Sequence, residues 1–176
     1  TITVQADDGT HQTTENFTIN VSDVNEAPVY GNQTFSVAEN VANATSVGTA
    51  AATDVDTGDT LTHAITAGNG DGIFAIDANT GEITIADNTN LNFEGTNSYS
   101  LTVRATDDGT GTLSDTATVT VNVTDINEVP TAISDSNAGA NTLAENASNG
   151  AATGVTASSS DPDGGAITYS LTDDAG

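Results

Sequence analysis

Apolar and polar side chains alternate without a break along residues 99–105, which read YSLTVRA, and along residues 117–123, which read ATVTVNV. Because this alternation has a period of two residues, one row of side chains faces a core and the other faces water, as in a β-strand buried on one face. The polar row is rich in threonine, whose β-branched side chain suits a strand. No stretch shows a convincing apolar period of 3.6 residues, so the sequence predicts an all-β protein.

The charge of the chain excludes several classes of function. The 176 residues include 25 acidic side chains and a single basic one, Arg104, which gives a formal net charge of −24. Nucleic-acid binding and attachment to anionic membrane surfaces both need a cationic footprint, which is absent. The chain has no cysteine, so disulfides and cysteine-ligated zinc or iron–sulfur sites are impossible. No apolar run is long enough to cross a bilayer, and direct insertion into a membrane is not expected.

Four motifs recur in the same order along the chain, which predicts tandem modules. Residues 23–28 read DVNEAP and residues 125–130 read DINEVP, and VAEN at 37–40 returns as LAEN at 143–146. DVD at 54–56 returns as DPD at 161–163, and a DDG loop follows a strand signal at both 7–9 and 107–109. The spacing between the copies is long enough for a whole domain.

The repeat sets the predicted boundaries. Residues 1–22 are interpreted as the last two strands of a truncated module and residues 131–176 as the first strands of a third, so the chain is interpreted as a piece of a longer protein. Residues 23–28 and 126–130 form linkers, each closed by a proline that cannot donate to a sheet ladder. Residues 29–125 form one complete module.

Within the complete module, turn residues separate seven short strand signals. This number of strands in about 100 residues favours an antiparallel, seven-stranded Greek-key sandwich of the Ig-like type. The turn at residues 77–81 joins two of the strands, and Gly81 is expected to take a positive φ there. The predicted strands lie near residues 34–37, 47–53, 61–66, 73–76, 82–85, 97–106 and 115–124.

The complete module also carries a set of motifs in a fixed order. They are Glu39; Asp54-x-Asp56; residues 74–83, FAIDANTGEI; residues 91–94, LNFE; residues 99–107, which end on Asp107; and residues 125–128, DINE. In this order and spacing the motifs resemble those of the cadherin and cadherin-like repeats. The resemblance implies sandwiches that stack in tandem, with Ca²⁺ ions bound at each junction. The scarcity of lysine, the abundance of threonine and the NEAP linker resemble large repetitive surface or secreted proteins of bacteria.

The resemblance implies two groups of calcium ligands, carried over residue by residue. At the first junction they are Asp23, Asn25, Glu26, Asp54, Asp56 and Asp107, and the ligands of the preceding module are expected to lie upstream of residue 1. At the second junction they are Glu39, Asn92, Glu94, Asp125, Asn127, Glu128, Asp161 and Asp163. Glu26 and Glu128 stand where the family usually has aspartate, and Asn92 stands where it has an acid. One of the three ions implied for such a junction is therefore expected to be weakly bound or absent.

The chemistry of the residues independently favours Ca²⁺, a hard cation that takes six to eight oxygen ligands from flexible loops. His11 and His63 stand alone in the sequence and are interpreted as solvated, which argues against zinc and copper. The acids that stand apart from the motifs, Asp59, Asp71 and Asp115 among them, are assigned to solvated loops.

These expectations favour a calcium-stiffened, extracellular or cell-surface rod of many repeats, used for cell adhesion or surface display. Two alternatives stay open: a calcium-dependent carbohydrate-binding module and a passive structural spacer. The partner would be another copy of the protein, a different cell-surface protein or a glycan. An enzyme is not expected, because the sequence has no nucleophile elbow, no plausible Ser/His/Asp set and no phosphate-cradling glycine loop.

Overall fold

The computed structural model describes residues 1–137 and 139–172, and within them every regular element is a β-strand. The all-β prediction is confirmed, and no helix that could span a bilayer occurs in this part of the chain. The strands are β1 (Ile2–Asp7), β2 (Gln12–Phe17), β3 (Gln33–Ala38), β4 (Ser46–Thr49), β5 (Thr62–Ala67), β6 (Phe74–Ile76), β7 (Glu82–Ile85), β8 (Ser98–Thr106), β9 (Ser114–Thr124), β10 (Ser134–Asp135) and β11 (Ala157–Ser158).

Strands β3 to β9 form two sheets. One has four strands in the order β3-β9-β8-β5, and the other has three in the order β4-β7-β6. In the longest pair, β8 and β9, Leu101 lies opposite Val119 and Val103 opposite Ala117. All four side chains are at most 4% exposed, so the row that the alternation assigns to the core is buried.

The core combines the apolar rows of both sheets. Leu101, Val119 and Val121 from the four-stranded sheet pack in one cluster with Ile83 and Ile85 from the three-stranded sheet, and each is at most 1% exposed. Burying a side chain of this size contributes about 1.5–3 kcal/mol. The packed sheets therefore form a stable base that fixes the loops at their ends.

One pairing contradicts the prediction of an entirely antiparallel sandwich. β3 runs parallel to β9, with Phe35 opposite Val121 and Val37 opposite Val123. The two strands are far apart in sequence, and the strands between them reverse direction before β9 returns beside β3. Alternation shows which face of a strand is buried but carries no information on strand direction, so the sequence pattern alone could not reveal this pair.

The turn predicted at residues 77–81 is confirmed, with a φ of 72° at Gly81. A Cβ at Gly81 would overlap with the carbonyl oxygen of Ala50, so the position also needs the space that glycine leaves. The predicted strand at 47–53 is wrong at its end, because β4 stops at Thr49. β4 contains an irregularity in its register with β7, and such bulges strengthen the local twist and end regular pairing.

His63 contradicts the interpretation of both histidines as solvated. It is 8% exposed, and its Nδ1 lies 3.3 Å from the hydroxyl oxygen of Tyr30. The Tyr30 hydroxyl donates to the carbonyl oxygen of Ala50 at 3.0 Å, and burial lowers the pKa of His63. His11, in contrast, has an exposed side chain.

The segments on either side of the two sheets are exposed. β1 and β2 form an antiparallel hairpin in which Ile2, Val4 and Phe17 are each about half exposed, at 51%, 51% and 52%. β10 and β11 pair antiparallel over two residues each. The predicted third module extends to residue 176, and its last four residues lie outside the described part of the chain.

Candidate metal sites at the two linkers

Two groups of residues rich in acids lie at segments 23–28 and 126–130, the predicted linkers, here named the first and second linker, and contain the ligands predicted from the sequence. The first acidic cluster comprises Asp23, Asn25, Glu26, Asp54, Asp56, Asp59 and Asp107, of which Asp59 was not predicted. The second acidic cluster comprises Glu39, Asn92, Glu94, Asp125, Asn127, Glu128, Asp161 and Asp163.

Strand direction places the two clusters at opposite ends of the four-stranded sheet. β8 is antiparallel to β9, so Asp107, directly after β8, lies at the end where β9 begins. β3 is parallel to β9, so Glu39 and Asp125, which directly follow these two strands, lie together at the other end. The parallel pair that the sequence did not predict therefore helps to assemble the second acidic cluster.

Asp107 joins β8 to the first linker. It is 4% exposed, and its Oδ1 accepts hydrogen bonds from the backbone N–H groups of Gly109 and Leu113 at 3.2 and 3.0 Å. These bonds order the loop between β8 and β9. Its Oδ2 accepts a hydrogen bond from Asn25 Nδ2 at 3.2 Å, so one buried carboxylate contacts both the loop and the linker.

The Asp54-x-Asp56 motif holds the same linker from another side. Asp56 Oδ2 accepts a hydrogen bond from the backbone N–H of Glu26 at 2.8 Å, and Asp54 Oδ1 accepts one from the backbone N–H of Asp56 at 3.0 Å. Asp54 Oδ2 is shielded from solvent and has no hydrogen-bond partner. Burial, followed by the charges of Asp56 and Asp23, raises the pKa of Glu26 above its ordinary value.

Asp59 contradicts its assignment to a solvated loop. Its Oδ2 is shielded from solvent without a hydrogen-bond partner, and burial, followed by the charge of Asp108, raises its pKa. The chain turns at Gly58, whose φ is 121°, and brings Asp59 to the cavity beside Asp56. The sequence feature that could have indicated Asp59 as a ligand is an acid in the turn after Asp54-x-Asp56. That feature is not specific, because aspartate is common in ordinary turns.

A cavity of about 240 Å³ opens within the first acidic cluster. Since liquid water occupies about 30 Å³ per molecule, the cavity has room for a cation with part of its hydration shell. It is lined by Asp23, Asn25, Asp56, Thr57, Asp59, Gly109 and Thr110.

Glu39 anchors the second linker and is only 2% exposed. Its Oε2 accepts a hydrogen bond from the backbone N–H of Phe93 at 2.8 Å, and its Oε1 accepts one from the backbone N–H of Ile126 at 2.8 Å. The next residue, Asn40, has a φ of 58° and donates from Nδ2 to Glu128 Oε1 at 2.6 Å. The end of β3 therefore contacts both the 91–94 loop and the linker.

The second acidic cluster contains two groups of three converging carboxylates, and Glu94 belongs to both. Glu39, Glu94 and Glu128 each offer an oxygen, and these oxygens lie within 4.8 Å of one another; Glu94, Asp125 and Asp163 form another such group. Two ligands of one Ca²⁺ ion can lie up to about 5 Å apart, because each is 2.3–2.6 Å from the ion. Both groups therefore have the spacing of calcium ligands.

The second linker repeats a contact of the first. The backbone N–H of Glu128 donates to Asp163 Oδ2 at 2.8 Å, as that of Glu26 donates to Asp56 Oδ2. Asp161 Oδ1 accepts a hydrogen bond from the backbone N–H of Asp163 at 3.0 Å. Repeated sequence motifs thus produce the same local geometry at both linkers.

Crowded charge also perturbs the second acidic cluster. Burial, followed by the charge of Asp163, raises the pKa of Asp125. Burial also raises the pKa of Glu128, with a hydrogen bond from Asn40 acting in the opposite direction. These carboxyl groups are therefore easier to protonate than isolated ones.

Two predicted ligands use their side chains within their own loops. Asn92 Oδ1 accepts a hydrogen bond from the backbone N–H of Gly95 at 2.6 Å. Asn127 Nδ2 donates to the carbonyl oxygen of Glu128 at 3.0 Å. The structure thus brings together the carboxylates of the second acidic cluster more closely than its amides.

The residues present fit a hard divalent cation. Every side chain of both clusters offers a carboxylate or amide oxygen, the donor type that Ca²⁺ prefers. Asp54 Oδ2, Asp59 Oδ2, Glu128 Oε2 and Asp163 Oδ1 are shielded from solvent without hydrogen-bond partners. An ionised oxygen shielded in this way is unfavourable unless a positive charge compensates it, and a cation in each cluster would do so.

The chain is similar to known adhesion proteins over much of its length. It is 49% identical to human protocadherin Fat 1 over 79 residues, and these residues are 45% of this chain and 2% of that protein. It is similar to a crystal structure of the protocadherin GammaB4 extracellular domain, with a TM-score of 0.58 and 27% identity over 68% of this chain and 20% of that one. The fold also matches protocadherin gammaB7 domains EC3–6, with a TM-score of 0.64 and 23% identity over 91% of this chain and 41% of that one.

The chain spans only part of each of these proteins, from 2% of protocadherin Fat 1 to 41% of the gammaB7 structure. The model of the cadherin domain family matches residues 33–124, the segment that contains β3 to β9, four of the seven residues of the first acidic cluster and three of the eight of the second. The chain therefore belongs to the cadherin family, whose members are adhesion proteins rather than enzymes.

Proposed function

We propose that both acidic clusters bind Ca²⁺ and thereby fix the orientation of successive modules in an extracellular cadherin repeat that serves cell adhesion or surface display. In this proposal residues 29–125, which contain β3 to β9, are one complete seven-stranded Greek-key module. Residues 23–28 and 126–130 are the linkers to the modules on either side, and residues 1–22 and 131–176 belong to those modules. The bacterial origin favoured by the scarcity of lysine stays a prediction.

The observation that carries the proposal is the presence in each cluster of two carboxylate oxygens that are shielded from solvent and lack hydrogen-bond partners. In two of these carboxylates, Asp54 and Asp163, the other oxygen accepts a backbone hydrogen bond. The chain therefore holds these groups in place before any ion binds. Such preorganisation favours binding, because less conformational freedom is lost on association.

The proposed mechanism is electrostatic. Without cations, the converging carboxylates repel one another and favour a linker that pivots. Bound Ca²⁺ supplies positive charge and six to eight coordination positions. Because Glu39 and Glu94 precede the second linker and Asp163 follows it, shared coordination joins the modules on both sides. Each module then keeps a fixed angle to the next, which gives a stiff rod.

A partner protein is proposed on the basis of family membership, either another copy of this chain or a different cell-surface protein. A glycan partner has no observation in its favour. Tyr30 and Phe74 are buried in the core, and the two half-exposed aromatic side chains, Phe17 and Tyr169, belong to neither acidic cluster. A passive spacer would share the calcium chemistry and differ only in lacking a partner.

The test is a calorimetric titration of the full chain with CaCl₂, combined with small-angle scattering in calcium and in chelator. We expect several ions to bind, each independent site stabilising the folded form by about 2.7 kcal/mol at 100 times its dissociation constant. We also expect a longer, less variable particle in calcium. Magnesium at the same concentration controls for ionic strength. No binding heat and identical scattering in calcium and chelator would contradict the proposal.

A further inference from the structure

We propose that Asp59 is a calcium ligand of the first acidic cluster and that Gly109 lacks a side chain in order to make room for it. This inference rests on the proposed function and extends it to two residues outside the predicted ligand set. The second acidic cluster has no equivalent of Asp59, so the two calcium sites differ in ligand number.

The first step concerns where the Asp59 carboxylate lies. It lines the same cavity as Asp23 and Asp56, and its Oδ2 is shielded from solvent without a hydrogen-bond partner. An ordinary turn aspartate uses its oxygens to accept nearby backbone N–H groups, as Asp77 does with Asn79 and Thr80. The free Oδ2 of Asp59 has no such structural role.

The second step concerns the glycine opposite it. A Cβ at Gly109 would overlap with both Asn25 Oδ1 and Asp59 Oδ2. Two oxygens from distant parts of the chain therefore converge against one backbone atom, close enough together to bind one ion. The φ of Gly109 lies outside the positive range that favours glycine. Space for the two oxygens, rather than backbone conformation, is the reason for a glycine here.

The third step compares the two copies of the loop. Residues 54–59 read DVDTGD, whereas residues 161–166 read DPDGGA. The first two aspartates make the same hydrogen bonds in both copies. The acid that follows the glycine, Asp59, occurs only in the first copy of the loop. Because ligand charge and number tune calcium affinity, the loss of Asp59 should weaken only the first acidic cluster.

The experiment is a CaCl₂ titration of the full chain followed by NMR, with Asp59→Asn as the test variant. The Gly109 amide, bonded to Asp107, reports on the first acidic cluster, and the Gly95 amide, bonded to Asn92, reports on the second. We expect the calcium midpoint at Gly109 to rise at least tenfold and that at Gly95 to stay unchanged. Asp71→Asn, which removes the same charge from an exposed loop, is the matched control.

Gly109→Ala provides an independent steric test. Its Cβ should displace Asn25 and Asp59 from their convergence and raise the midpoint at the first acidic cluster, while the denaturation midpoint in chelator stays near that of the unmodified chain. An unchanged midpoint in Asp59→Asn, or equal weakening at both reporters, overturns the inference. If the unmodified chain shows no calcium response at either reporter, the proposed function itself fails.

Discussion

The two acidic clusters share one loop geometry but hold their linkers differently. In both, the second aspartate of a D-x-D motif accepts the backbone N–H of the linker glutamate at 2.8 Å. The first linker is otherwise held by a contact between side chains, from Asn25 to Asp107. The second is held by Glu39, which accepts a linker backbone N–H directly.

This difference separates two roles that acidic residues play at a junction. Both oxygens of Glu39 accept backbone N–H groups, so this residue fixes the linker whether or not a metal is present. The unpartnered oxygens of Asp54 and Asp59 make no such contact and depend on an ion for compensation. The second linker is therefore expected to stay more ordered than the first when calcium is removed.

The largest effect is expected for Glu39→Gln. The amide that replaces one carboxylate oxygen cannot accept a hydrogen bond, so the backbone N–H of either Phe93 or Ile126 loses its acceptor. A buried donor left unpaired costs about 1–3 kcal/mol, and this loss should appear in the free energy of unfolding both in calcium and in chelator. Urea denaturation of the full chain measures it.

Glu94→Gln is the matched control for that measurement. Glu94 belongs to both groups of converging carboxylates but is exposed. Its substitution should therefore lower stability in calcium and leave it nearly unchanged in chelator. If Glu39→Gln also had no effect in chelator, the assigned role of Glu39 as a metal-independent anchor would be wrong.

A smaller and more local effect is expected from Asp56→Ala and Asp163→Ala. Each variant removes the acceptor of one linker backbone N–H, that of Glu26 or that of Glu128. In calcium, a protease that cleaves after glutamate should then cut the corresponding linker several times faster and the other at the unmodified rate, while the core stays folded. Each variant is the control for the other, and equal acceleration at both linkers would contradict separate junctions.

The core was predictable from the sequence because alternation reports burial directly. Phe74, Leu101 and Val103 are buried where the pattern places them, and Tyr99 packs against them partly buried. The pairing of β3 with β9 was not predictable from the sequence. It joins the first and last strands of the sandwich in parallel and therefore depends on the path of the whole chain.

The candidate site was predictable where a motif carries it. Asp54, Asp56 and Glu39 were found because they lie in repeated motifs, and the structure places them at the linkers. Asp59 was missed because an aspartate in a turn is usually solvated. Its Oδ2 is shielded where Gly109 and Asn25, which are distant in sequence, approach it.

The smallest expected effect is on the pH dependence of stability without metal. The pKa values of Glu26, Asp59, Asp125 and Glu128 are raised by burial and by neighbouring charges. As the pH falls from neutral toward the ordinary values of 3.8 for aspartate and 4.5 for glutamate, the folded form takes up protons before the unfolded form does. Stability in chelator should therefore rise modestly with acidification in this range.

The same acidification should have the opposite effect in calcium, because protons compete with the ion for the carboxylates. Below the ordinary values, stability should fall in either condition, since hydrogen bonds lower the pKa values of acids such as Asp77 and Asp87 and protonation then favours the unfolded form. Urea denaturation at several pH values between 7 and 3, with and without calcium, measures both trends. If the stability of the chain in chelator fell steadily from pH 7, the clustered carboxylates would not repel one another enough to affect the free energy of unfolding. The proposed electrostatic difference between the metal-free and calcium-bound linkers would then be wrong.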